Sequence, residues 1–100
     1  MQKRKAHYPL AKVKYLVTEH RVEFTMTAAA GGAAMGFTAS EMLDVVSNLA
    51  NKDFDKSITS HADHTVWHDV YHADTLRGVV YLKLTIIKNL LIISFKEKDE

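Results

Sequence analysis

Four histidines, His61, His64, His68 and His72, crowd one short stretch of the chain, interleaved with Asp63, Trp67 and Asp69. On a helix they would fall on one stripe, a pattern suited to zinc because neutral imidazole is a good zinc ligand. Their neighbours Thr65, Val66, Trp67, Val70 and Tyr71 favour a strand instead. On a strand His64, His68 and His72 share a face at separations too long to close on one ion. The plain reading of His61, His64 and His72 is a solvated sheet face. His68 stands apart: at mid-strand the backbone holds it firmly, and an imidazole passes a proton either way near neutral pH. Trp67, Tyr71 and Phe95 are read as core or edge packing before stacking platforms.

Lys56, Lys83 and Lys96 are the cations of the second half that a sheet would fix in place. A single lysine is ordinarily a solvated charge. Several of them on one face with a tyrosine and a histidine suit a phosphodiester, since phosphate oxygens need cations or N–H donors and a base can stack on an exposed ring. That cluster contains no acids, so a glycosidase-type carboxylate pair has no support. Gly31-Gly32 lacks the lysine and the spacing of a phosphate-binding loop. With no cysteine there is no disulfide framework, thiolate nucleophile or thiolate metal site, which suits a reducing cytoplasm. Thirteen Lys and Arg against 12 Asp and Glu leave a net charge of +1, which names no partner. The distribution is uneven: Lys3, Arg4, Lys5, Lys12 and Lys14 all precede the first acid, Glu19. No apolar run approaches the roughly twenty residues of a membrane helix, and the basic start, interrupted by His7, Tyr8 and Pro9, lacks the apolar core of a signal peptide.

The elements that must position these residues follow from periodicity. One hundred residues, 47% of them apolar and 25% charged, make a single globular domain spanning 1–100. Pro9 suits a helix start, and Leu10, Val13, Leu16 and Val17 recur at helical spacing. Val22 to Phe24 reads as a short strand, and Thr25 or Thr27 caps an alanine-rich helix that weakens at Gly31-Gly32. Thr38-Ala-Ser-Glu41 is a capping box opening a helix whose buried stripe is Met42, Val45, Val46 and Leu49. Beyond Asp53 the period becomes two. Strands are expected at Phe54–Ser60, Thr65–Tyr71, Val79–Ile87 and Leu90–Phe95, with turns at Gly78 and Lys88-Asn89, giving an antiparallel meander. Val80, Leu82, Leu84 and Ile86 should face the helices; Leu91, Ile93 and Phe95 are the apolar set of the last strand. Tyr81 and Lys96 then share the outer face. The fold class is α+β, N-terminal helices packed on one face of a mainly antiparallel sheet.

Four ordered motifs now become specific: DFDKSIT at Asp53–Thr59, DHTVWHDVY at Asp63–Tyr71, GVVYLKLT at Gly78–Thr85 and ISFKEK at Ile93–Lys98. With the opening Lys3-Arg4, His7, Leu10 and Val13-Lys14, they resemble the MqsR family over nearly the whole chain. The resemblance implies a RelE-like fold and a bacterial type II toxin: a ribosome-independent, sequence-selective endoribonuclease that cuts single-stranded mRNA without a cofactor and arrests growth under stress. It implies catalytic roles for Lys56, His68, Tyr81 and Lys96. The partner it implies is a cognate MqsA-like antitoxin with a zinc-bearing part and a helix-turn-helix part, through which operator DNA is met only indirectly. Two positions depart from the family pattern: His68 stands where glutamine is usual, and Asp55 replaces an aromatic. Rival readings from other classes are a non-catalytic RNA- or DNA-binding module and a histidine-rich metal or pH-responsive domain.

Overall fold

Local signals account for the three helices of the computed structural model, which describes residues 1–99. Helix α1 (Leu10–Thr18) begins directly after Pro9 and buries Val13 and Leu16. It ends where His20 takes a left-handed backbone (φ 58°), with the Arg21 N–H bonded back to the Leu16 carbonyl and the His20 N–H to that of Val17. These paired bonds satisfy carbonyls that the last turn leaves free. Helix α2 (Met26–Ala34) is capped by Thr25, not Thr27. The Thr25 hydroxyl accepts from the Ala28 N–H at 3.0 Å and donates to the Ile93 carbonyl at 2.8 Å, so the cap also ties α2 to the sheet. Helix α3 (Ala39–Ser47) opens with the expected capping box of Thr38 and Glu41, at 2.8 and 3.1 Å.

Gly31-Gly32 does not weaken α2. A Cβ at Gly31 would strike the Phe95 carbonyl oxygen, and one at Gly32 the Met42 sulfur. Packing closeness decides these two residues, and it outweighs the helix propensity that glycine sacrifices.

The sheet contains β1 (Gln2–Lys3), β2 (Val22–Phe24), β3 (Phe54–Thr59), β4 (Trp67–Thr75), β5 (Gly78–Ile86) and β6 (Leu90–Glu97), in spatial order β1-β3-β4-β5-β6-β2. Every pairing is antiparallel except β2 with β6. The helices cover one face, where Val13, Leu16, Ala28, Met42 and Val46 meet Tyr71, Val80, Leu82, Leu84, Ile92 and Phe95. This is the expected α+β layering, with an extra edge strand at the N-terminus.

Three expectations shift. His64 and Thr65 lie in a loop, because the Asp63 carboxylate accepts from both the Thr65 N–H (2.9 Å) and its hydroxyl (2.6 Å), and this local bonding competes with the ladder. Strand β4 instead runs on to Thr75, with Ala73 opposite Val80 and Thr75 opposite Gly78. In β6 the buried set is Leu90, Ile92 and Phe95. A bulge pairs Ser94 with Lys83 and Ile92 with Leu84, which leaves Ile93 as the extra residue.

A buried charge fixes the chain's entry to α1. The two oxygens of the fully buried Asp69 accept from the successive N–H groups of His7 (3.0 Å) and Tyr8 (2.9 Å). The Tyr8 hydroxyl donates to the Trp67 carbonyl at 3.1 Å and meets the Thr85 hydroxyl at 2.9 Å.

Candidate active site

The face of the sheet away from the helices gathers the candidate residues. Register places His72 opposite Tyr81 and Tyr81 opposite Lys96, so three strands contribute one side chain each to a single row. The His72 and Tyr81 ring centroids are 5.9 Å apart, and the Lys96 ammonium lies 5.3 Å from the Tyr81 centroid. Lys56 enters from β3 to complete an open groove of about 410 Å³. Tyr81 and Lys96 thus share one surface, as alternation along β5 and β6 requires.

A second irregularity shapes the groove. Phe54 pairs with Tyr71 but Lys56 pairs with Val70, so Asp55 is the extra residue of a bulge in β3. Adjacent residues of a regular strand point to opposite faces; the bulge lets both Asp55 and Lys56 line the same groove. The Asp55 carboxylate stands 3.7 Å from Nε2 of His72. Glu97, Lys98 and Asp99 close the far end. The cluster is therefore not free of acids, contrary to the expectation from sequence.

His68 belongs to the same alternation as Val70 and His72 but pairs with Ile58, four residues from His72. That is about 13 Å along the strand. The structure brings Lys56, Tyr81 and Lys96 together, and it sets His68 apart from them. His72, read from sequence as a solvated sheet residue, occupies the row instead. Trp67 alternates with Asp69 and Tyr71 and does not join the groove. Its ring stacks on His7 (5.6 Å, 16°) and carries the Lys3 ammonium at 4.1 Å.

Burial, reinforced by the Asp55 charge, pushes the Tyr81 phenol above its ordinary value. Tyr81 therefore keeps its proton at neutral pH and is a hydrogen-bond donor there. Burial and then the Lys83 charge hold the His68 imidazole below the usual histidine range, against a weaker opposing pull from Asp69. His68 is accordingly a neutral hydrogen-bonding group at neutral pH. The core tyrosine Tyr71 is pushed up to about 12, chiefly by burial, and takes no part in the groove.

Another hollow, of about 370 Å³, lies between α3 and the β4–β5 turn. Its wall carries Glu41, Asp44, Asp53 and Asp74 against Lys52 and Arg77, an acidic balance that repels phosphate. The groove at Tyr81 is the better phosphodiester site.

Residues 5–97 match the sequence profile of a family described as motility quorum-sensing regulator, toxin of MqsA. The chain is also 43% identical, over 98 residues, to the mRNA interferase toxin MqsR of Escherichia coli (strain K12), an alignment spanning 98% of this chain and all of that protein. Lys56, His72, Tyr81 and Lys96 lie inside the matched region, and the match runs through helices and sheet alike. On that evidence the chain belongs to the MqsR toxin family.

Proposed function

We propose that this protein is an mRNA interferase, an endoribonuclease toxin that cuts single-stranded mRNA in the cytoplasm and is restrained by a cognate antitoxin. The observation that carries this reading is the convergence of Lys56, Tyr81 and Lys96, from three different strands, on one groove. The name of the Escherichia coli relative and the family's description as the toxin of MqsA support it.

The reaction these groups suit is transesterification. The 2'-oxygen attacks the adjacent phosphorus, the 2'-proton leaves to a base, and the bond from phosphorus to the 5'-oxygen breaks. The products are a cyclic phosphate and a 5'-hydroxyl. Lys56 and Lys96 stabilise the charge that gathers on the non-bridging oxygens, and removing one such contact typically costs about 3 kcal/mol of barrier. Tyr81 donates a proton to the departing 5'-oxygen: an alkoxide is a much stronger base than phenolate, so a phenol that holds its proton at neutral pH is still acid enough. His68, well along the face, hydrogen-bonds a neighbouring nucleotide, a task the family's usual glutamine would also perform.

End-labelled single-stranded RNA incubated with the protein in excess chelator tests the proposal. Cleavage is expected, and a 2'-deoxy residue at the cut position should abolish it. Retention of the RNA without cutting would favour a non-catalytic binding module, and cutting of the deoxy substrate would reject the 2'-hydroxyl mechanism.

A further inference from the structure

Tyr81 retains its proton and both lysines serve the phosphate, so the cleavage reaction still needs a base. His68 is poorly placed for that work, because about four residues of extended strand separate it from the row containing Tyr81. His72 is in the row, directly opposite Tyr81, and half-buried on the groove wall. From β3 it faces Asp55 and Lys56, from β5 Tyr81, and from β6 and the residues after it Lys96, Glu97, Lys98 and Asp99. Among the described residues, the carboxylate within ion-pair distance of His72 is that of Asp55.

An acid in a groove meant for phosphate repels its ligand unless it does something else there. The bulge in β3 lets Asp55 share the groove with Lys56; a regular strand would have put these two neighbours on opposite faces. From that position Asp55 has two effects. It raises the Tyr81 phenol, which keeps the donor protonated. Its carboxylate also stands 3.7 Å from Nε2 of His72, close enough to orient the ring through their attraction and to stabilise the imidazolium that forms when a proton arrives.

We infer that His72 is the general base of this groove and that Asp55 is its positioning residue, an inference that rests on the cleavage activity proposed above. As the bond from the 2'-oxygen to phosphorus forms, the 2'-proton passes to a ring nitrogen of His72. The bond to the 5'-oxygen breaks and that oxygen takes the Tyr81 proton. Solvent then removes the proton from His72 and returns one to Tyr81, which restores both groups.

Single-turnover kinetics on a defined RNA in chelator test the assignment. His72→Ala should lower the cleavage rate by about 10²-fold or more while RNA affinity and thermal midpoint stay near wild type, and free imidazole added to that variant should restore cutting. Asp55→Asn should lower the rate about tenfold while RNA affinity rises slightly with loss of the repelling charge, and Asp55→Glu should recover part of the rate. His72→Gln, which keeps the size and hydrogen bonding of the side chain, should be as slow as the alanine variant. A His72→Ala protein that cuts as fast as wild type, or a slow one that imidazole does not rescue, overturns the role of His72 and leaves the nuclease standing. Wild-type protein that cuts no RNA would remove the nuclease and this role together.

Discussion

At the scale of single residues, the two histidines of β4 divide along lines that burial and register draw. His68 is held neutral by burial and by Lys83. In the unfolded chain its imidazole takes a proton near the ordinary value of 6.5, while in the folded protein it does so only at lower pH. Between those two values the unfolded state binds more protons, so stability falls as pH drops through that window and the contribution is complete above it. His68→Gln should flatten this slope, read as the urea midpoint between pH 7 and pH 5, because glutamine keeps the hydrogen bonding without titrating. The same variant should still cut RNA at neutral pH, where His68 is already uncharged. Large loss of cleavage in His68→Gln would return the proton-transfer role to His68. The sequence marked His68 through its motif position, whereas His72 offered no local sign. Its importance comes from a partner nine residues away across a hairpin, and from an acid on the neighbouring strand that shares its groove.

At the scale of elements, hydropathy period and capping chemistry made most of the architecture readable. The Thr38–Glu41 box, the uniformly apolar set Val80, Leu82 and Leu84, and the turn at Lys88-Asn89 all appear where the residues place them, whereas the β4–β5 turn is Leu76-Arg77 and Gly78 (φ 110°) opens β5 opposite Thr75. What stayed hidden was long-range. Strand β1 consists of only Gln2 and Lys3, paired with Ile58 and Ser57, and two residues carry no period to detect. A bulge shifts the phase of alternation by one, so Asp55 joins its neighbour Lys56 in one groove and the buried set of β6 steps from Leu90 and Ile92 to Phe95. Glycine in α2 was misleading in the same way, since its value lies in contacts with β6 and α3. Replacing Gly31 by Ala sets a methyl against the backbone of Phe95, next to the Lys96 Cβ at 3.4 Å, where nothing can turn aside. Replacing Gly32 by Ala meets the flexible end of Met42, which can move. Overpacking of this kind costs about 1–3 kcal/mol. Thermal melts should therefore show the Gly31 variant losing roughly 4–8 °C per kcal/mol and falling further than the Gly32 variant. Equal losses would show that β6 yields as readily as a methionine side chain. Because Gly31 backs onto the strand carrying Lys96, its variant should also cut RNA more slowly than the Gly32 variant does.

For the whole molecule, a net charge of +1 means that binding to RNA must depend on a few local contacts and not on a broad field. The groove offers Lys56, Lys96 and Lys98 to phosphates, with Asp55, Glu97 and Asp99 on the same wall offsetting them at longer range. The basic start of the chain is partly committed elsewhere, since the Lys3 ammonium sits over Trp67 and 2.9 Å from Nδ1 of His7. For a single strand each neutralised phosphate contributes about −0.7 to the slope of log affinity against log salt. Three groove lysines therefore predict a slope of about −2, and Lys98→Ala should reduce its magnitude by about 0.7. A filter-binding titration from low to physiological salt reads this directly, using an RNA with a 2'-deoxy cut site so that binding is measured without cleavage. A slope near −5, unchanged by Lys98→Ala, would mean that the N-terminal cations carry the RNA and that the substrate path crosses the β1 edge. The shallow slope is the expected result, because Lys56, Lys96 and Lys98 line the same groove as Tyr81, where one short stretch of RNA meets all of them.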